Sequence, residues 1–182
     1  MKRELFLSLI ILIILSSLSC SFVSQEELFS NRPQQKADIT LNNSHYLFSQ
    51  SDTEALLIEA EKIELYNTAK KAYITNGTFS QHDEDGTLLF SGSFGFAIAD
   101  TKTNDLILSD HLLIINHKDK FSIEAEEIAW TDELQYLQSG EESIVTVINK
   151  EHDIMRGRGF FGNFKTATFE FQTMNQGVMH YE

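Results

Sequence analysis

The sequence predicts an all-β domain, an antiparallel β-jelly-roll or an open folded-over sheet built from about four hairpin repeats of 31–33 residues. Two segments, 58–63 and 123–128, are nearly identical and lie 65 residues apart. At about half that spacing, an Asn or Asp able to start a turn recurs, so that each repeat is a strand, a turn and a returning strand. These residues, at intervals of 33, 32 and 31, are Asn67, Asp100, Asp132 and Asn163.

Large apolar residues recur at fixed places before these turns. They lie two residues before all four Asx residues and four residues before three of them. Because alternate residues of a strand point to the same face of a sheet, one apolar face should run across successive strands. We expect this face to consist of Ile63, Leu65, Phe96, Ile98, Ile128, Trp130 and Phe161.

Two parts of the chain, 53–73 and 123–138, have a composition that by itself favours helices. In both, however, apolar residues alternate with Glu at period two, and the corresponding segments 91–96 and 154–159 contain glycines that weaken a helix. We therefore predict strands. The alternation slips by one residue within both copies of the repeated segment, which requires a bulge or corner at the same place in each.

The remaining apolar runs predict further strands, and Asp85-Gly86 predicts a hairpin turn between Thr78 and Leu88. These strands cover residues 37–41, 87–90, 112–115, 143–148 and 178–181. Consecutive antiparallel hairpins of this kind wind into a jelly roll or a folded-over sheet. If the sheet does not close, the backbone groups of its two end strands can pair with another chain.

The chain begins with the pattern of an export leader. Lys2 and Arg3 precede an apolar run over 5–15 that only one serine interrupts, and small residues follow it. We therefore expect residues 1–19 to be a signal peptide or membrane leader.

Cys20 is the only cysteine, which excludes an internal disulfide and a cysteine-based metal site. The residues before it resemble a bacterial lipobox, in which the cysteine is acylated and becomes the N-terminus. Two other interpretations stay open, an uncleaved anchor and ordinary cleavage that leaves the thiol unmodified. Residues 20–36 are polar and predict a lipid-anchored linker, which leaves 37–182 as one domain.

Charge and motifs argue against several functions. The net charge of −13 disfavours nucleic acid. The six histidines lack metal-ligand spacing, and the acidic stretch 82–86 predicts a solvated turn rather than a calcium loop. We expect no catalytic residue, no metal site and no cofactor. Four carboxylates that alternate with apolar residues predict a solvent-facing surface rather than acid–base pairs: Glu59, Glu61, Glu124 and Glu126.

The apolar face allows two interpretations. It is either an ordinary dry core or a trough that shields acyl chains from water, and the residues alone leave both open.

Three motifs resemble the periplasmic lipopolysaccharide-export proteins of the LptC and LptA/OstA type. They are an Ile-x-Ala-Glu-x-x-Ile-x-(aromatic or aliphatic)-x-Asx pattern at 58–67 and 123–132, and an Ile-x-x-Gly-x-Gly-Phe-x-x-Asn pattern at 154–163. One N-terminal anchoring segment followed by a single small domain is similar to LptC. The resemblance covers about residues 37–182.

This resemblance implies a jelly roll that receives lipopolysaccharide or a related glycolipid from the permease subunits of an inner-membrane ABC transporter. It implies transfer to an LptA-like periplasmic protein through edge-strand pairing, with the acyl chains on the apolar face and without catalysis. Gly157 and Gly159 match the family's Gly-x-Gly strand. The expected partner-binding edge includes Thr166, Thr168, Glu170 and Val178.

The leader departs from the family pattern. LptC proteins usually keep an uncleaved transmembrane helix, whereas Cys20 here predicts a lipid anchor. With either a lipid anchor or a single N-terminal transmembrane segment, we expect a periplasmic domain held at the inner membrane. The alternative is a structural or adhesive surface lipoprotein whose β domain binds only protein.

Overall fold

The computed structural model describes residues 33, 36–48, 56–151, 153–163, 166 and 168–178. The predicted leader, Cys20 and most of the linker lie outside these residues, as do positions 179–181 of the last predicted strand. The described residues form ten strands and no helix. The strands are β1 Ile39–Phe48, β2 Leu56–Tyr66, β3 Lys71–His82, β4 Leu88–Asp100, β5 Leu106–Asn116, β6 Phe121–Thr131, β7 Tyr136–Gln138, β8 Ile144–Asn149, β9 Ile154–Asn163 and β10 Thr168–Val178.

All strands belong to one antiparallel sheet in which neighbours in sequence are neighbours in space. β7 and β8 occupy one place between β6 and β9, because β8 pairs with the first half of β6 and β7 pairs with its end. The predicted all-β class and hairpin order are confirmed. Two short predicted strands belong to longer continuous ones. Residues 88–90 of the predicted strand 87–90 are the start of β4, and 112–115 lie within β5.

Asx residues stabilise the turns, as their spacing predicts. Asp100 Oδ1 accepts hydrogen bonds from the backbone N–H of Lys102 at 2.8 Å and of Thr103 at 3.1 Å. Asn163 Oδ1 accepts one from the N–H of Thr166 at 3.2 Å. A side-chain hydrogen bond from Lys71, 2.9 Å away, helps to lower the pKa of Asp100 to about 2.

Each long strand bends at one transverse line of residues, here called the corner row. In β2 the core residues are Ile58 and Ala60 before this line and Ile63 after it. The strand positions whose side chains point inward therefore shift by one residue at the corner row. The predicted corner is therefore confirmed. On alternate strands the row contains residues with positive φ, which let the backbone bulge. They are Asn43, Asn76, Asp110, His111 and Gly159.

The bend folds the sheet onto itself. Phe121, at the start of β6, and Phe169, at the start of β10, have ring centroids only 4.9 Å apart. In a flat sheet they would be separated by roughly 30 Å along the strands and roughly 14 Å across them, from about 3.3 Å per residue and about 4.8 Å per strand. The strand halves on either side of the corner row therefore face each other.

We call these halves wall A and wall B. Wall A adjoins the turns at 67–70, 101–104 and 132–135, and wall B adjoins those at 83–87 and 117–120. The main core lies between them. Its most deeply buried large side chains include Ile58, Ile63, Ile74, Leu112, Ile123, Ile128, Val145, Val147 and Phe160.

The prediction that seven apolar residues share one face is wrong for three of them. Phe96 and Ile98 lie in a second cluster with Tyr66 and Tyr73, on the outer side of wall A. Phe161 also points away from the core and contacts Tyr136, with ring centroids 5.1 Å apart.

The error comes from the placement of the turns. Asp100 and Asn163 end their strands, whereas Asn67 and Asp132 are the first residues of their turns. The core position held by Ile63 is therefore taken by Ala97 in β4 and by Phe160 in β9, each one residue away from the position that the Asx spacing predicts.

Gly159 provides a test of the corner row. Its φ is +59°, which favours glycine, and a Cβ there would lie 2.6 Å from the Gln172 side chain. We expect Gly159→Ala to lower the free energy of unfolding by about 1–2 kcal/mol in urea denaturation. Gly177→Ala is the matched control, since nothing lies within 4 Å of the new Cβ. Equal stability of the two variants would contradict a corner that depends on this conformation.

Candidate ligand-binding trough

A cavity of about 670 Å³ lies between the two walls. Its volume falls within the range of about 300–1,000 Å³ that is typical of small-molecule sites. Side chains from seven strands contribute to its apolar surface, so it follows the fold of the sheet across most of its width. They include Leu56, Phe79, Phe90, Phe94, Leu106, Leu108, Ile114, Phe121, Trp130, Leu137 and Phe169.

Two phenylalanines of wall B lie flat against glycines on the neighbouring strand. Phe94 pairs with Gly77, and Phe79 pairs with Gly92. A Cβ on either glycine would come within 2.4 Å of the facing ring, and the two rings are stacked at 6.5 Å. These rings therefore lie along the wall, which leaves space between the walls.

The mouth of the trough lies between the two rows of turns, and its side chains are polar. Wall A contributes Asn104, Asp132, Gln135 and Asn163 to the cavity lining. Wall B contributes Gln81, Asn116, Lys118 and Asp119. An apolar interior with a few polar groups at its mouth suits a ligand with an apolar body and a polar end.

The residues predicted to form a lipid-binding interior are distributed over three environments. Trp130 lines the cavity. Ile63 and Ile128 are fully buried in the core, and Leu65 packs against it. Phe96, Ile98 and Phe161 are on the outer side, as described above.

Most cavity-lining residues were not predicted from the sequence. Phe79, Leu106 and Phe169 lie on returning strands, and Phe121 lies at the far end of its strand from the Asx turn. Their inward direction could have been found by extending the period-two alternation of each strand through the corner row to the opposite turn.

The Gly-x-Gly strand is β9, next to the sheet edge. A Cβ on Gly157 would lie 2.5 Å from the carbonyl oxygen of Thr173 on β10, so the close approach of these two strands requires glycine. Thr168 and Glu170 are exposed on β10, and Val178 pairs with Ile154. Thr166 lies before the strand, in the connection.

The two end strands of the sheet are open within the described part of the chain. β1 pairs only with β2, and β10 pairs only with β9. Each therefore presents backbone N–H and C=O groups along one side, which can hydrogen-bond to a strand of another molecule.

Glu127 is a buried acid in the corner row, opposite Ser109 of β5. It is 6% exposed, and its Oε2 has no hydrogen-bond partner among the described residues. Burial removes water from the carboxylate and raises the pKa of Glu127 to about 7. The sequence gives no signal for this residue, because Glu127 lies beside exposed Glu126 and is buried by the phase shift at the corner.

The raised pKa predicts a loss of stability as the pH rises. The folded state holds the proton of Glu127 more tightly than the unfolded chain does. Ionisation of Glu127 therefore lowers the free energy of unfolding only slightly below pH 4.5, and by its full amount above about pH 7. We expect Glu127→Gln to raise the free energy of unfolding by about 2–3 kcal/mol at pH 8 and by less than about 1 kcal/mol at pH 5.

Urea denaturation at both pH values measures this difference, and Glu126→Gln is the control because Glu126 is exposed. An equal effect of Glu127→Gln at the two pH values would show that the carboxyl does not titrate in this range.

Among the described residues, no group of three or more His, Cys, Asp or Glu side chains could hold a metal ion. The same described residues include no helix that could span a membrane.

A comparison with protein families shows which family the chain resembles over most of its length. The model described as "LptC: Lipopolysaccharide-assembly, LptC-related" matches residues 9–180, nearly the whole chain. The resemblance seen in the sequence motifs is confirmed. No curated protein matches the chain significantly.

Proposed function

The chain belongs to the LptC-related family of lipopolysaccharide-assembly proteins, and from this membership we propose that it is a non-enzymatic lipid-transfer protein. It receives lipopolysaccharide or a related glycolipid from the permease subunits of an inner-membrane ABC transporter. It then passes the lipid to an LptA-like periplasmic protein. The observation that carries this proposal is the apolar trough of about 670 Å³ between the two walls.

The trough suits acyl chains for a physical reason. Each buried CH₂ group contributes about 0.8 kcal/mol, so an acyl chain crosses an aqueous compartment only when apolar surface covers it. Phe79, Leu108, Phe121 and Phe169 offer such surface from both walls. No bond has to be made or broken in this transfer.

We further propose that the domain works in the periplasm, tethered to the inner membrane by its N-terminus. The leader at 1–19 and the lipobox-like residues before Cys20 support a lipid anchor. The linker at 20–36 gives the domain reach from the membrane.

Transfer to the bridge protein uses the open edges of the sheet. A strand added to β10 extends the folded sheet, and both walls then continue into the second protein. Thr168, Glu170 and Val178 lie on this strand, with Thr166 beside its start. The supporting observation is that β10 pairs only with β9 in the described part of the chain.

The single tryptophan of the chain gives a direct test of the trough. Trp130 lines the cavity and is the only tryptophan, so its fluorescence reports on this site alone. We expect lipids with brominated acyl chains to quench more than about half of its emission, since bromine quenches only at close contact and the bound chains lie in the trough. Titration of the purified full-length protein measures this quenching.

The matched control moves the tryptophan to the outside of the same wall. In the double variant Trp130→Phe and Phe161→Trp, the reporter lies beside Tyr136 on the outer side and should keep its emission. Equal quenching of both proteins, or none of Trp130, would contradict lipid binding between the walls and favour a dry core.

The open edge predicts a position-specific crosslink. A photoreactive amino acid in place of Glu170, which is exposed on edge strand β10, should crosslink to the LptA-like protein in intact cells. The same substitution at Glu126, exposed on the central strand β6, is the control and should not crosslink. Crosslinks from both positions, or from Glu126 alone, would exclude edge pairing at β10.

A further inference from the structure

The mouth of the trough has a specific chemistry on its wall A side. Asn104 and Gln135 occupy the last position of successive four-residue turns, with φ of 63° and 53°. Both line the cavity, and within the described part of the chain their side-chain amides make no hydrogen bond. Two amides are thus repeated at equivalent places along one side of the mouth. Each can donate and accept hydrogen bonds.

Positive charge is scarce among the residues that line the cavity. Lys118 is the only cation among the residues that line the cavity, and the carboxylates of Asp119 and Asp132 line it as well. Neither of the two arginines in the described part of the chain, Arg156 and Arg158, lines the cavity, and Arg158 is paired with Glu142 at 2.7 Å. The lining therefore has one positive and two negative side chains, in a protein whose net charge is −13.

This pattern does not suit a phosphate group. Phosphate sites in proteins use Arg or Lys in charge-assisted hydrogen bonds, and carboxylates beside a phosphate repel it. Sugar hydroxyls instead need neutral groups that both donate and accept, together with carboxylates that accept. Asn104 and Gln135 provide the first kind and Asp119 and Asp132 the second.

An aromatic ring completes the arrangement. Trp130 lines the cavity next to the mouth and donates from Nε1 to Oδ1 of Asp132 at 3.4 Å. The flat indole presents an apolar face, and the C–H groups on one side of a sugar ring can pack against such a face. An aromatic ring beside carboxylate and amide groups favours a sugar over a phosphate.

We infer that the lipid held in the trough has an uncharged, hydroxyl-rich sugar headgroup at the mouth rather than a phosphorylated one. This inference rests on the proposed function, since it needs acyl chains to occupy the space between the walls.

The test compares two lipids that differ only in the headgroup. Galactosyl diacylglycerol and phosphatidic acid, both with the same brominated acyl chains, are titrated into the purified full-length protein while Trp130 fluorescence is followed. We expect the galactosyl lipid to bind at least about tenfold more tightly at low ionic strength, where repulsion of the phosphate is strongest.

Tighter or equal binding of phosphatidic acid would overturn the inference and leave the proposed function standing. Quenching by neither lipid would overturn both. The two failures are therefore distinguishable in one experiment.

Two variants test whether the headgroup preference arises from the side chains at the mouth. The double substitution Asn104→Gly and Gln135→Gly removes both amides and keeps residues that suit positive φ. It should weaken galactosyl-lipid binding by about fivefold or more, as expected for two lost neutral hydrogen bonds, and leave phosphatidic acid unchanged. Lys70→Gly is the control, because Lys70 holds the same place in the neighbouring turn but does not line the cavity. An equal loss for Lys70→Gly would overturn the assignment.

Discussion

The structure depends on one constraint, that each strand keeps its apolar side inward after it bends. In β2 the apolar residues occupy even positions before the corner row, at Ile58 and Ala60, and odd positions after it, so a bend that preserved the alternation would place the two sets on opposite faces of the sheet. The one-residue phase shift at the corner row solves this, and it brings Ile58 and Ile63, five residues apart, into one core. The positive φ of Asn76, Asp110 and Gly159 is the local backbone cost of that shift.

A folded but open sheet follows from the same constraint. Because the bend runs across the strands, the space between the walls runs from strand to strand, towards the two edges. β1 and β10 end that space and also carry the open backbone groups. A strand added at β10 would therefore lengthen the sheet and the trough together, which connects edge pairing to lipid transfer through geometry alone.

Fold class, hairpin order and the existence of corners could be predicted from the sequence, because period-two alternation and the Asx residues are local signals. The directions of Phe96, Ile98 and Phe161 could not, because an Asx residue can take either of two places. Asp100 and Asn163 end their strands and bond to the turn N–H groups through their side chains, whereas Asn67 and Asp132 begin their turns and accept through their backbone C=O. This difference shifts by one residue the strand positions whose side chains point inward. Edge pairing of Thr168, Glu170 and Val178 stays a prediction, as does the acylation of Cys20.

The chain has 14 phenylalanines, and the trough stays open because several of their rings lie along its walls. The reciprocal pairs Gly77–Phe94 and Gly92–Phe79 show the mechanism, since only glycine lets a ring lie flat over the neighbouring strand. Had those positions carried side chains, the rings would project between the walls and fill the space that an acyl chain needs. Glycine at these two places thus favours a cavity over a dry core, at the cost of strand stability.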